Sequence, residues 1–136
     1  MEFFLKSKTA GERTRLLAAF EQFARANHLP DEVRKNADLA IEEAVTNVLS
    51  YAFTDQAAHT IALKFAVNDG EFVIEISDDG RPFDPTKFPT PNLKEPPNNR
   101  KVGGLGIHMI RQSMDALDYQ RVDGRNVLRM RKRLKG

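Results

Sequence analysis

The chain has 136 residues, of which 40% are hydrophobic and 29% charged, and its formal net charge is +2. This length and composition predict one globular domain spanning residues 1–136, with enough apolar content for a core. So small a net charge gives no support for direct nucleic-acid binding or attachment to a membrane surface. The sequence has no cysteine, which excludes disulfides and thiolate metal sites. We expect a cytoplasmic protein, because no apolar run approaches the roughly 18 residues of a membrane span.

The first part of the chain predicts a strand and two helices. Residues 2–7 have the pattern of a short strand. Thr9 and Glu12 have the spacing of a capping box, which predicts the start of a first helix. Pro30 suits the first turn of a second helix, which is expected to end near residue 53. Apolar residues recur along this second helix at helical spacing: Ala37, Ala40, Ile41, Ala44, Val45, Val48, Leu49 and Ala52.

Two hairpins and a third helix are predicted in the rest of the chain. Alternating apolar residues predict strands over 60–67 and 72–76, joined by a turn at 68–70. A third helix is predicted over 105–116, followed by a second hairpin that turns at 123–124. Helices and mostly antiparallel strands segregate in this order. We therefore expect an α+β two-layer sandwich, with a mixed, mostly antiparallel sheet and the helices on one face.

Glu43 and Asn47 are four residues apart in the second predicted helix and therefore share one helix face. Their neighbours are apolar or small, so this polar pair is expected to be partly buried. A carboxylate and an amide oxygen suit Mg²⁺, and the carboxylate can also take a proton. The alternative is an exposed pair on a solvated helix. Glu42 is expected to be the more solvent-facing of the two adjacent acids.

Asp78 ends an apolar strand and precedes the pair Asp79-Gly80. A carboxylate at this position can accept a hydrogen bond from an amino group such as the exocyclic amine of adenine. Gly80 would let a flat ring approach the backbone closely. The alternative is a plain turn, because Asp-Gly is a common turn pair.

A glycine-rich segment opens the third predicted helix: Gly103, Gly104, Leu105 and Gly106. Bare backbone N–H groups at a helix N-terminus form a ready anion site. The segment is neither a Walker A loop nor a Rossmann fingerprint, because it lacks the GK[ST] ending and no strand comes directly before it.

The segment 86–102, rich in proline and asparagine, precedes these glycines and includes Arg100 and Lys101. A loop of this length in a compact domain is usually a functional lid or disordered. Its position favours a lid whose basic residues reach phosphate oxygens, and disorder without ligand is compatible with that interpretation.

Together these segments resemble the GHKL (Bergerat-fold) ATPases, whose N, G1 and G2 boxes they match in order. The matching residues are Glu43 and Asn47, then Asp78, Gly80 and Pro82, then Gly104 and Gly106. The sequences Glu-Ala-Val-Thr-Asn, Arg-Pro-Phe-Asp-Pro and Gly-Gly-Leu-Gly-Ile-His-Met-Ile are similar to bacterial anti-sigma-factor serine/threonine kinases. Pro82 stands where many GHKL proteins have glycine, which the anti-sigma branch tolerates.

This resemblance implies a site for ATP and Mg²⁺. Asn47 would coordinate Mg²⁺ that bridges the phosphates, and Glu43 would act as the base that orients the attacking hydroxyl. Asp78 would accept from the adenine amine, with Gly80 giving the ring room. Residues 104–106 would cover the phosphates. The last hairpin lacks the threonine that often supports the adenine-binding aspartate, which leaves adenine binding without its usual support.

The resemblance also implies partners. The γ-phosphate would go to a serine or threonine of an anti-anti-sigma (STAS) protein, and the kinase would also sequester a sigma factor. Related domains dimerise, so the resemblance also allows a homodimer. One alternative is an ATP-gated binding module with negligible kinase activity. Another is the catalytic part of a histidine kinase, which is disfavoured because none of the three histidines lies in a phosphoacceptor helix.

Overall fold

The computed structural model describes residues 1–87 and 104–134. Arg100, Lys101 and Gly103 lie outside these residues, as does most of the predicted lid. The strands are β1 (Glu2–Lys6), β2 (Thr60–Asn68), β3 (Glu71–Asp78), β4 (Ala116–Val122) and β5 (Arg125–Arg133). The helices are α1 (Glu12–Ala26), α2 (Asp31–Asn47) and α3 (Gly104–Ser113), with a π-helical turn at Val48–Ala52 and a 3-10 turn at Pro85–Lys87.

The five strands form one sheet in the order β1-β2-β3-β5-β4, and all four described pairings are antiparallel. Side chains along β3 are alternately buried and half-exposed, so the helices cover one face only. This confirms the predicted α+β two-layer sandwich. The register places Asp78, the last residue of β3, directly opposite Asn126 of β5.

Both hairpins turn where the sequence predicts. Asp69 and Gly70 have φ of 49° and 77°, and Asp123 and Gly124 have φ of 50° and 76°. Two successive residues with positive φ give the turn a twist that matches the strands, which is why Asp-Gly is favoured there.

An aromatic cluster joins α1 to the sheet. Phe20 of α1 lies 5.4 Å from Phe65 of β2 and 5.6 Å from Phe72 of β3, measured between ring centroids. Phe23, one turn later, lies 5.8 Å and 5.9 Å from the same two rings. Tilted ring pairs at these distances stabilise a core beyond the area that they bury.

The predicted capping box at the start of α1 is wrong. Gly11, with φ of 79°, precedes the helix and provides no side-chain cap, while Thr9 belongs to the turn that leaves β1. The Glu12 carboxylate instead accepts hydrogen bonds from the backbone N of Lys6 at 2.9 Å and from Arg15 at 2.5 Å. The Lys6 N–H and the Arg15 guanidinium lower the pKa of Glu12. Glu12 therefore connects the end of β1 to the start of α1.

Helix α2 is shorter than the sequence predicts, because its regular part ends at Asn47. The chain then widens into the π-helical turn, which closes with a hydrogen bond from the N of Phe53 to the O of Val48 at 3.3 Å. Pro30 precedes the helix instead of lying in its first turn. Helix α3 also ends earlier than predicted, because Asp115 pairs with Arg131 at the entry to β4. None of the helices within residues 1–87 and 104–134 is long and apolar enough to cross a membrane.

Replacing Phe20 by alanine tests the aromatic cluster. Phe20 is completely buried, and truncating a buried phenylalanine costs about 3–5 kcal/mol of unfolding free energy. Leu17→Ala is the matched control on the same helix. Leu17 is 37% exposed, so its loss is expected to be about 0.5 kcal/mol. Urea denaturation measures both, and equal losses would show that the cluster does not anchor α1.

Candidate functional site

The second and third helices bring two of the predicted motifs into contact. A Cβ atom placed on Gly106, in the first turn of α3, would lie 2.5 Å from Oε2 of Glu43 and 3.6 Å from Nδ2 of Asn47. Only glycine fits there without moving the Glu43 carboxylate. A carboxylate beside the start of a helix is also favoured by the helix dipole.

Asn47 is buried, with 5% of its surface exposed, while Glu43 is half-buried. The amide Nδ2 of Asn47 donates to the backbone O of Glu43 at 2.9 Å, and no described hydrogen bond uses its Oδ1. Glu42 is 43% exposed and pairs with Arg13 of α1 at 2.8 Å. The expectation that Glu43 and Asn47 are partly buried is confirmed, whereas Glu42 and Glu43 are both half-buried residues.

The Asp78 carboxylate is only 2% exposed. Both described hydrogen bonds to it end on Oδ1: one comes from the N of Gly80 and one from Nδ2 of Asn126, each at 2.9 Å. Burial raises the pKa of Asp78, while these hydrogen bonds and the nearby Arg125 oppose the rise. The Gly80 contact is the turn that the sequence allowed, and the Asn126 contact gives this buried carboxylate a second hydrogen bond.

Gly80 is required for a reason that the sequence does not show. A Cβ atom at this position would lie 2.5 Å from the backbone O of Ala52 in the π-helical turn. The next residue, Arg81, donates its backbone N to the same oxygen at 2.9 Å and its Nε to the O of Tyr51 at 2.6 Å. The predicted approach of a flat ring to Gly80 stays a prediction.

Asn126 was missed by the motif analysis. It is 4% exposed and connects β5 with the turn that follows β3. Its Nδ2 also donates to the O of Arg81 at 2.8 Å. Its Oδ1 accepts from the N of Phe83 at 3.1 Å, Tyr119 Oη at 2.5 Å and Arg121 at 3.1 Å. The available signal was a polar residue at an inward-facing position of a strand.

A small cavity lies between α2, α3 and the sheet. Its volume is about 20 Å³, and its polar lining residues are Asn47, Asp78, Tyr119 and Asn126. The other lining residues are Ala44, Val48, Ile76, Phe83, Pro85, Ile107 and Leu128. This space suits a single water, whereas small-molecule pockets commonly measure roughly 300–1,000 Å³. The cavity as it stands is too small for a purine base.

Phe83 and Tyr119 are the aromatic side chains at the edge of this cavity. Both are half-buried, and Phe83 stacks on Tyr51 of the π-helical turn with ring centroids 5.3 Å apart. Pro82 is exposed and is not among the residues that line the cavity. Pro82 therefore does not line this cavity, and its predicted contact with a nucleotide stays a prediction.

Comparison with known proteins decides the family. Residues 7–132 match the family described as histidine kinase-like ATPase domain. The chain belongs to this family. The resemblance to GHKL ATPases is thereby confirmed, and with it an ATP-binding type of domain.

Two groups of relatives within the histidine kinase-like ATPase family are named as kinases. Serine/threonine-protein kinase BtrW of Bordetella bronchiseptica is 34% identical over 122 residues, covering 90% of this chain and 86% of that protein. Serine-protein kinase RsbW of Oceanobacillus iheyensis is 30% identical over 81 residues, covering 57% of this chain and 51% of that protein. RsbW of Staphylococcus aureus is 29% identical over 110 residues, covering 75% and 67% respectively.

A solved structure supports the fold. The histidine kinase AdeS of Acinetobacter baumannii matches with a TM-score of 0.53 and 10% identity, covering 100% of this chain and 68% of that chain. At this identity the match shows that the ATPase-domain fold is shared.

His59 forms a charged cluster beside the Asp78 turn. Its Nε2 lies 2.7 Å from Asp55, its Nδ1 lies 3.1 Å from Asp79, and its ring stacks on Phe53 at 4.2 Å. The hydrogen bond to Asp55, followed by that to Asp79, raises the pKa of His59. The cluster therefore attaches the segment after the π-helical turn to the residue next to Asp78.

Replacing His59 by glutamine should remove a pH-dependent part of the stability. Because the folded-state pKa is raised above 6.5, the protonated ring stabilises the fold fully below that value. This stabilisation is lost as the pH rises through the folded pKa. The difference in unfolding free energy between wild type and variant should thus be larger at about pH 6 than at about pH 9.

Urea denaturation at both pH values measures this difference. His28→Gln is the matched control, because His28 is exposed and its side chain makes no described ion pair. A His59→Gln effect that is equal at the two pH values would mean that the ring acts only by stacking on Phe53.

Proposed function

We propose that the chain is an ATP-dependent serine/threonine protein kinase that phosphorylates an anti-anti-sigma (STAS) protein and sequesters a sigma factor. The observation that carries the proposal is the contact between Glu43 and Gly106. It puts an acid at the start of a helix whose N-terminus can bind phosphate, one turn from the Asn47 amide. The relatives named as serine or serine/threonine kinases support the same reaction.

The described residues fit a nucleotide. Asp78 is a buried carboxylate whose Oδ2 takes part in no described hydrogen bond, so this atom suits the exocyclic amine of adenine. The backbone N–H groups of Gly104, Leu105 and Gly106 lie in the first turn of α3, where such groups have no partner within the helix. Phosphate oxygens would bind there, favoured by the helix dipole.

Asn47 fits a magnesium ligand. Its Nδ2 is used within α2, so Oδ1 is the atom that would face a cation. Among residues 1–87 and 104–134 there is no cluster of three His, Asp or Glu side chains that would hold a metal ion alone. Mg²⁺ typically keeps several waters and binds through one or two protein groups plus phosphates. When bound, it would neutralise charge on the phosphates.

Glu43 is the proposed base. A hydroxyl group of the protein substrate would give its proton to a Glu43 carboxylate oxygen as the hydroxyl oxygen attacks the γ-phosphorus. The bond from that phosphorus to the bridging oxygen would break, and this oxygen would leave on ADP. Contact with α3 holds this carboxylate beside the proposed phosphate site. The half-buried environment leaves the carboxylate reachable from solvent, which an incoming protein substrate requires. The proposed contacts of Arg100, Lys101 and Gly103 with phosphate remain predictions, because these residues lie outside the described ranges.

Glu43→Gln should still bind ATP and the partner but transfer phosphate about 10²–10⁴-fold more slowly, because the amide cannot take up the hydroxyl proton. The rate of phosphate transfer is measured with labelled ATP and the STAS protein whose gene lies nearest to the gene of this chain. Glu42→Gln is the matched control, since this adjacent acid pairs with Arg13 on the other side.

Three outcomes distinguish the alternatives. Glu43→Gln with wild-type activity would remove Glu43 as the base. Wild-type protein that binds ATP and a partner but transfers no phosphate would favour the ATP-gated binding module. Transfer to a histidine instead of a hydroxyl would favour the catalytic part of a histidine kinase.

Gly106→Ala tests the contact between the two helices. The added Cβ would displace the flexible end of Glu43, while the nearest Asn47 atom stays 3.6 Å away. We expect phosphate transfer to fall by at least about tenfold, with a much smaller change in ATP affinity. In a Glu43→Gln background the same substitution should add little, because the two residues act together. Independent, additive losses would contradict this coupling.

A further inference from the structure

The buried polar cluster around Asn126 carries an inference that rests on the proposed nucleotide binding. We propose that Asn126 is the positioning residue for base recognition: its Nδ2 holds the Asp78 carboxylate by Oδ1 and thereby presents Oδ2 to the exocyclic amine of adenine. This assigns a role to a buried residue of the last hairpin, in which the threonine that often supports the adenine-binding aspartate is missing.

The two polar atoms of the Asn126 amide have different partners. Nδ2 is placed 2.9 Å from Oδ1 of Asp78 and 2.8 Å from the O of Arg81, so both of its protons are used. The cross-strand register of β3 and β5 places the two residues side by side. The Asp78 carboxylate therefore cannot rotate without breaking the bonds from Asn126 and from Gly80.

The orientation of the amide is fixed by its other end. Oδ1 of Asn126 accepts from the N of Phe83, from Tyr119 Oη and from Arg121, and the first and last of these groups can only donate. A flipped amide would place its NH₂ group against these donors. The donor end must therefore face Asp78, and Asp78 is recognised as an acceptor.

Charge matters because an ionised Asp78 accepts from the amine more strongly than a protonated one, whose O–H group is a donor. Burial raises the pKa of Asp78, and the Asn126 hydrogen bond is the largest effect that lowers it. The other charged groups are Asp79 on the same turn, which raises the pKa of Asp78 and pairs with His59, and Arg125 on β5, which lowers it. Arg121 on β4 reaches the O of Gly80 at 2.8 Å, and the cavity residues from α2 and α3 are uncharged: Ala44, Asn47, Val48 and Ile107.

This arrangement also predicts base selectivity. Guanine carries a carbonyl where adenine carries the amine, and an ionised carboxylate repels a carbonyl oxygen. A protonated Asp78 would instead donate to that carbonyl. The Asn126 donor therefore favours adenine over guanine by keeping Asp78 ionised.

The test measures ATP and GTP affinity by calorimetry between about pH 6 and pH 8 for wild type, Asn126→Leu and Asn126→Thr. Leucine keeps the size of the side chain but has no donor, whereas threonine has a hydroxyl donor. We expect the ATP affinity of wild type to change less across this range than that of the leucine variant. The leucine variant should bind ATP about 10- to 100-fold more weakly at low pH, the loss of one hydrogen bond to a charged group. Its preference for ATP over GTP should narrow as the pH falls, and threonine should restore part of it.

Tyr119→Phe is the control at the acceptor end of the same amide. It removes one donor to Oδ1 but leaves Nδ2 on Asp78, so the pH dependence of ATP binding should stay that of wild type. An equal pH shift in Tyr119→Phe and Asn126→Leu would overturn the proposal in favour of general disruption of the cluster. A pH-independent loss in the leucine variant would also overturn it.

The remaining outcomes are also decisive. Wild-type protein that binds no ATP would refute the proposed function itself, whereas ATP binding unchanged in Asn126→Leu would refute only this inference. If melting curves show that the leucine variant is unfolded, wild-type NMR decides. The side-chain amide protons of Asn126 should shift as Asp78 titrates and as ATP binds, and unchanged signals in both titrations would contradict the proposal.

Discussion

The close contact of two backbones positions the whole candidate site. The π-helical turn after α2 meets the turn after β3, where the O of Ala52 accepts from the N of Arg81 at 2.9 Å and leaves no room for a Cβ on Gly80. One side of this contact continues into Asn47, and the other begins at Asp78. Main-chain contacts therefore set the separation between the backbones of α2 and the end of β3, from which the Asn47 amide and the Asp78 carboxylate extend.

Because burying polar groups costs free energy, the polar residues of the site are held by hydrogen bonds, and the oxygens that these bonds do not use are available to a ligand. Asp78, Asn126 and Asn47 are each about 95% buried or more. Each is held by hydrogen bonds that use only part of its capacity, which leaves one oxygen of Asp78 and one of Asn47 without a described partner. Such fixed, partly used acceptors lose little entropy when they bind a ligand. A small loss of entropy on ligand binding is typical of preorganised sites.

Periodicity predicted the elements of the fold because burial of one face dominates local preferences. The alternation along β3 and the helical spacing along α2 both came from residues that now form the core. The i, i+4 relation of Glu43 and Asn47 also followed from helix geometry alone. The failures lay where a distant contact overrides local pattern: Glu12 bonds to Lys6 instead of Thr9, and the π-helical turn depends on the segment after β3. Asn126 was missed because its partner is 48 residues away in sequence.

The two ends of the Asn126 amide contact different parts of the proposed base site. The Nδ2 end keeps Asp78 in place for recognition, while the Oδ1 end holds the N of Phe83, whose ring lines a cavity of about 20 Å³. Under the proposed recognition, a base would make the first contact beside the Phe83 ring. The hydrogen bond to Asn126 involves only main-chain atoms of Phe83, so a change in the rotamer of its side chain need not break that bond. Such a change would alter the stacking of Phe83 on Tyr51 and would thereby link base binding to the π-helical turn.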